Sequence, residues 1–302
     1  LVRFHVDGGV DSTFSGDGIL VLSSFSELDQ LDALTIMDNG SLIAGGYARV
    51  NNYDQAILIK VTPTGSLDNS FGSSGVASPA IDLNNSRIYG VAALGTEVFA
   101  AGVQFDGSTS ADLFITKRNA TGGPVITFGT FGVANIDVQD DDWMDDMELL
   151  PDGRIVFAGY TGSTAPGGDI DFLLGCYLPN GQPDLGLGSG GHVITETSPN
   201  YEGGFGVCVQ PDGKLVVVGF GGVLLNSSLV FQRARNLGIA VLHRQCAKFR
   251  PLGPVLRNAA PGIWDHWCRM NCHFGACSLC SARRNLTRHW TQARKSRTMA
   301  IY

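Results

Sequence analysis

The sequence repeats itself. The string Leu67-Asp68-x-x-Phe71-Gly72-x-x-Gly75 has relatives on both sides. Upstream lies Val10-Asp11-x-x-Phe14-Ser15-x-x-Gly18; downstream come Phe128-Gly129-x-x-Gly132 and Asp184-x-x-Leu187-Gly188-x-x-Gly191. The final glycines, Gly18, Gly75, Gly132 and Gly191, are separated by 57, 57 and 59 residues. A second marker keeps the same period: Asp38-Asn39-Gly40, Pro151-Asp152-Gly153 and Pro211-Asp212-Gly213, with Gly95 standing in for the second copy. Shortly after each comes another glycine (Gly46, Gly102, Gly159, Gly219), read here as closing a strand. Two markers in one register make a tandem array, in which each unit buries its apolar face against its neighbours.

Within a copy the pattern is one of short strands. Leu34-Thr35-Ile36 leads into Asp38-Asn39-Gly40, and Leu42-Ile43-Ala44 follows. An Asp-Gly or Asn-Gly pair between apolar runs encodes a tight hairpin, since glycine tolerates positive φ. Ala56–Ile59 and Phe172–Leu174 supply a third strand, and short fourth strands are expected near Ile19, Val76, Val133 and Val193. The fold class is therefore all-β: four-stranded tandem repeats of about 57 residues, the pattern of a β-propeller-like array. A β-solenoid, with its shorter rungs, is the competing architecture.

The array covers residues 1–222, about four repeats. Gly8 aligns with Gly65, so Leu1–Val6 aligns with Leu58–Pro63 and the first repeat starts midway. This register leads to the expectation that the sequence is a fragment of a longer array. The combination of Pro211–Gly219, Asp171–Leu174 and Gly65–Gly75 resembles the delta-60 repeat family. That resemblance implies a β-propeller-like array in bacterial, often secreted or surface proteins, and it brings no catalytic residues with it. The second copy departs from the pattern by losing its Asp-Gly turn.

Residues 223–302 read as an irregular, basic tail without native structure. From Val223 onward there are 13 Lys and Arg against one acidic residue, Asp265. The first 222 residues hold the other 8 basic and 27 acidic residues, so a net −19 faces a net +12. Five of the 7 cysteines and three of the 4 tryptophans also fall in the tail. A third strand of the last repeat is due at Leu229-Val230-Phe231, but no further Asp-x-x-Phe-Gly follows. A change of reading frame between Gly222 and Leu242 would explain the charge reversal, the cysteines and the lost repeat together.

Candidate sites are few. Asp140, Asp142 and Asp145 offer carboxylates for calcium, without the spacing of an EF-hand loop. Cys268, Cys272, Cys277 and Cys280 offer thiolates for zinc, though only four residues separate the two halves of the set. Asp54, Asp112 and Asp171 recur before the third strand and are expected to hold a turn. Only two histidines, His5 and His192, lie in the repeats, and no nucleophile–base pairing can be picked out. No cofactor is therefore expected, calcium being the one candidate.

The acidic repeats repel phosphates, which argues against nucleic acid. The longest apolar run, Leu215–Leu225, is interrupted by glycines and falls short of the ~20 residues that span a bilayer. The expected function is a non-catalytic extracellular or cell-surface module, binding or structural, whose partner is a protein or a glycan. The alternative is a propeller hydrolase or lyase acting on glycans.

Overall fold

The computed structural model describes residues 1–22, 29–79, 85–105, 110–163, 168–197 and 201–221. It also describes the backbone of Val223–Leu225, Ser228–Val230 and Ala240–Leu242. All of these lie in the first of the two units into which the chain divides, Leu1–Pro251 and Leu252–Tyr302. Cys268, Cys272, Cys277 and Cys280 fall outside the described residues, as does most of the tail.

The described chain is all β. The first sheet contains β1 (Asp29–Ile36), β2 (Leu42–Val50), β3 (Tyr53–Val61) and β4 (Val76–Ala77), in that order. The second contains β5 (Asn85–Leu94), β6 (Glu97–Phe105), β7 (Ala111–Arg118) and β8 (Val133–Ile136). The third contains β9 (Asp141–Leu149), β10 (Ile155–Gly162), β11 (Ile170–Tyr177) and β12 (His192–Thr195). A fourth begins with β13 (Glu202–Val209) and β14 (Leu215–Gly221). All these pairings are antiparallel meanders.

The fourth sheet departs from expectation. Its third strand is β17 (Ala240–Leu242), which pairs with Leu215–Val217. Leu229-Val230 instead belongs to β16 (Ser228–Val230), which pairs with β15 (Val223–Leu225) in a separate two-stranded sheet. The second repeat, by contrast, keeps its hairpin: Leu94 pairs with Glu97 across Gly95-Thr96, and Gly95 takes φ +59°.

The cores lie between sheets rather than within them. One joins Ile43, Leu58 and Phe71 of the first repeat to Ile88, Ala100 and Phe114 of the second. The next joins Phe99, Leu113 and Phe128 to Met147, Phe157 and Leu173, and a third joins Val156 and Leu174 to Val207 and Val217. Strand alternation makes this possible, since Ile155 and Phe157 face back while Val156 and Ala158 face forward. First strands contact the first strands of the next repeat, whereas third and fourth strands are further from their counterparts. Successive sheets therefore splay outward from their first strands.

The Asp-x-x-Phe-Gly motif is the clamp between repeats. Phe14, Phe71 and Phe128 are buried, and the residue after each donates its backbone N–H to the next repeat's turn. Ser15 N bonds Thr64 O, Gly72 N bonds Thr121 O and Gly129 N bonds Asn180 O, each at 2.8 Å. The glycine of that turn must lie flat on the clamp. A Cβ on Gly65 would come within 2.5 Å of Ser15 N, and one on Gly181 within 2.7 Å of Gly129 N. The motif's aspartate holds its own loop: Asp68 accepts from the N–H and hydroxyl of Ser70, which holds its carboxyl below the usual range.

Candidate functional site

Each first strand carries one extra residue at the same place. The register with the second strand shifts between Leu31 and Ala33, between Ile88 and Gly90, and between Gly204 and Gly206. In the third repeat Met144 pairs with Gly159 and Asp146 with Ala158. The residues left over are Asp32, Tyr89, Asp145 and Phe205, each at a β-bulge. Opposite stand Gly46, Gly102, Gly159 and Gly219. These glycines do not close their strands as the sequence suggested, for β2, β6, β10 and β14 all continue past them. They are glycine because the bulge thrusts a carbonyl at them. A Cβ there would lie 1.9 Å from Gln30 O, 1.9 Å from Arg87 O, 1.8 Å from Trp143 O and 1.8 Å from Gly203 O.

The bulges gather a half-buried aromatic patch. The rings of Tyr89 and Trp143 lie 5.4 Å apart, Trp143 stacks parallel to Tyr160 at 6.1 Å, and Phe105 meets Trp143 edge-on at 6.3 Å. Further along, Phe205 stacks on Phe220 at 4.9 Å, and the Arg87 guanidinium sits 4.5 Å over the Tyr47 ring.

Asp145 sits among these rings. Its carboxyl accepts a hydrogen bond from the Trp143 side chain, while Oδ2 is buried without a hydrogen-bond partner among the described residues. Burial first, and the neighbouring Asp146 second, push this carboxyl up to about 7. Burial and the Asp145 charge also raise Tyr160.

The sign of the pH dependence follows. Between the ordinary value of 3.8 and about 7, folded Asp145 retains a proton that the unfolded chain has released. Stability therefore falls as pH rises through that window, by about 2–4 kcal/mol. Asp145→Asn removes this dependence. Urea midpoints of variant and wild type should coincide near pH 4 and separate in favour of the variant by pH 8.

The carboxylates singled out in the sequence part company in the structure. Asp142 is fully buried and accepts from Val138 N at 2.6 Å, Gln139 N at 3.3 Å and the Thr161 hydroxyl. Asp140 is exposed in the turn before β9. Among the described residues, Asp112, Asp137 and Asp142 form a group of three carboxylates whose oxygens lie within 4.8 Å of one another. This is where a calcium ion would find oxygens, although both Asp142 oxygens already accept from the protein.

Glu202 repeats the Asp142 arrangement one repeat later, accepting from the Thr197 backbone and hydroxyl. Asp54, Asp112 and Asp171 do not precede the third strand. They lie inside β3, β7 and β11. Asp54 is buried and pairs with Arg49 at 3.1 Å and with Arg87 of the next repeat, so it bridges repeats. Both described thiols favour the neutral form: burial, with Asp184 next, pushes Cys176 up to about 12, and burial also raises Cys208.

The family model described as "Domain of unknown function (DUF5122) beta-propeller" matches residues 38–71 and 150–186. The two spans are the same stretch of the first and third repeats, from the hairpin turn through the third strand to the clamp loop. No curated protein matches the sequence. Among solved structures, that of Sqt1 from Chaetomium thermophilum aligns at 11% identity over 70% of this chain and 68% of that one, with a TM-score of 0.28, too low to bear on the fold. With two matched segments in register and four-stranded sheets built alike from one repeat to the next, the described chain is a β-propeller-like tandem array, two of whose repeats are similar to that family.

Proposed function

We propose that this β-propeller-like chain is a non-catalytic binding module and that its ligand is a glycan, taken up at the patch of Tyr89, Trp143 and Tyr160. The observation that carries the reading is the pairing of half-buried aromatic faces with carboxylates at the bulges. Sugar rings present C–H faces that stack on aromatic surface, and their hydroxyls donate to carboxylates. Aromatic anchors of this kind dominate recognition energetics. A location outside the cell or at its surface belongs to the same proposal and is supported by the sequence resemblance alone.

Binding of the purified chain to a panel of neutral and acidic oligosaccharides, followed by titration calorimetry, tests the proposal. Trp143→Ala is expected to weaken the interaction by about tenfold or more. Failure of every oligosaccharide to bind would overturn the reading. Asp145 favours a second reading, that of a glycan hydrolase. A carboxyl titrating near 7 holds a proton as a general acid does. Release of reducing ends that is lost in Asp145→Asn would support that reading over the first.

A further inference from the structure

The aromatic patch carries negative charge that no described cation offsets. Adjacent first strands place Asp32, Tyr89 and Asp145 at equivalent bulges, so a carboxyl group stands on either side of Tyr89 in the array. The Asp32 and Asp145 charges both oppose ionisation of the Tyr89 phenol, and those of Asp145 and Asp141 oppose that of Tyr160. Carboxylates from β1 and β9 thus act on rings from β5 and β10.

Asp145 is the member of this set without a counter-charge. Its Oδ2 has no hydrogen-bond partner among the described residues, and the neighbouring charge that acts on it is the like charge of Asp146. Arg87, the cation beside Tyr89, donates to that side chain, but it is tied to Asp54 and lies over the Tyr47 ring. Trp143, Tyr89 and Tyr160 present half-buried faces to the same place. The face of an aromatic ring is negative and attracts cations, tryptophan most of all. Rings and an unpartnered carboxyl oxygen together form a site for positive charge.

We propose that the patch of Tyr89, Trp143 and Tyr160 selects an amino sugar, its ring stacked on Trp143 and its positively charged nitrogen drawn to the aromatic faces and to Asp145. This rests on the glycan reading above and narrows it. A neutral sugar gains the stacking alone, and the carboxylates repel an acidic one.

The selection depends on pH, because the Asp145 carboxyl titrates near 7. A bound cation favours the carboxylate, so binding releases a proton and strengthens as pH rises. The titratable and charged groups that face Asp145 are Asp146 on its own strand, Tyr89 with Arg87 on β5, and Tyr160 on β10. Burial raises both phenols, which keep their protons throughout this range. Other strands packed on β9 commit their charges elsewhere. Glu202 of β13 accepts from Thr197, Glu97 of β6 pairs with Lys117, and Asp112 of β7 lies against Asp142.

Titration calorimetry of the 302-residue chain at pH 7, with β-1,4-linked trimers of glucosamine, N-acetylglucosamine and glucose, tests the selection. The glucosamine trimer is expected to bind about tenfold more tightly than the other two. Asp145→Asn should bring that ratio close to one, with a urea midpoint no lower than the wild type's. An N-trimethylated glucosamine trimer keeps its charge at every pH. Its affinity should rise about tenfold between pH 5 and pH 8 for each unit by which it lowers the Asp145 carboxyl, and stay level in Asp145→Asn. Equal binding of the three trimers would overturn the selection and leave the glycan reading standing. A preference that Asp145→Asn retains, or a flat pH profile in the wild type, would overturn it as well. So would binding of neutral or acidic oligosaccharides alone, whereas failure of every oligosaccharide would remove both readings.

Discussion

Replacing Gly159 by alanine is expected to cost about 3–5 kcal/mol of folding stability, read as a fall in the urea midpoint at unchanged slope. The new methyl would lie 1.8 Å from Trp143 O and 2.7 Å from the Met144 Cα. Both obstacles are backbone, so no rotamer change relieves the clash, and the bulge itself must open. Because the bulge sets the place of Asp145 and Trp143, the variant should also lose ligand affinity at the aromatic patch. Gly213→Ala is the control. Its φ of +80° disfavours a side chain, but a Cβ there meets nothing within 4 Å. A loss of only about 1–2 kcal/mol is expected, the ordinary cost of a left-handed residue. Equal losses at the two sites would show that the close approach at Gly159 is not what demands glycine.

Truncating Phe128 to alanine should be comparably damaging, at about 3–5 kcal/mol. The ring is 1% exposed, meets Phe99 edge-on at 6.3 Å and lies under the Gly181 turn of the following repeat. Its removal leaves a cavity at the clamp, where backbone on both sides is tied by the bond from Gly129 N to Asn180 O and cannot collapse freely. Phe131, three residues on, is 79% exposed, so Phe131→Ala should change stability by less than about 0.5 kcal/mol. Thermal or urea unfolding of the two variants side by side checks the contrast.

The repeat was legible because its markers are glycines and a phenylalanine whose roles are set by backbone geometry, and such roles survive sequence drift. Leu187 in place of phenylalanine, and Val125 in place of aspartate, leave the spacing intact. The meaning of Gly46, Gly102, Gly159 and Gly219 was not legible. What fixes them is a bulge on the neighbouring strand, and the bulged residues Asp32, Tyr89, Asp145 and Phe205 share no chemistry that a pattern could catch.

The acidic run misled for a related reason. Asp140, Asp142 and Asp145 are close in sequence, but they occupy a turn, a buried hydrogen-bonded position and a bulge among aromatic rings. The carboxylates that do meet Asp142 come from β7 and from the loop before β9. Asp54 was read as local because its recurrence suggested a turn, whereas its partners, Arg49 and Arg87, lie on the adjacent strand and in the next repeat.

The bulge is held from behind, by a glycine and a carbonyl, and owes nothing to the side chain it presents. A carboxylate, a phenol and a phenyl group already stand at equivalent places on one unchanged frame. Mutation can therefore rewrite what each blade offers to a visitor while leaving the hydrogen-bond ladder behind it untouched, so that specificity and folding can evolve on separate accounts.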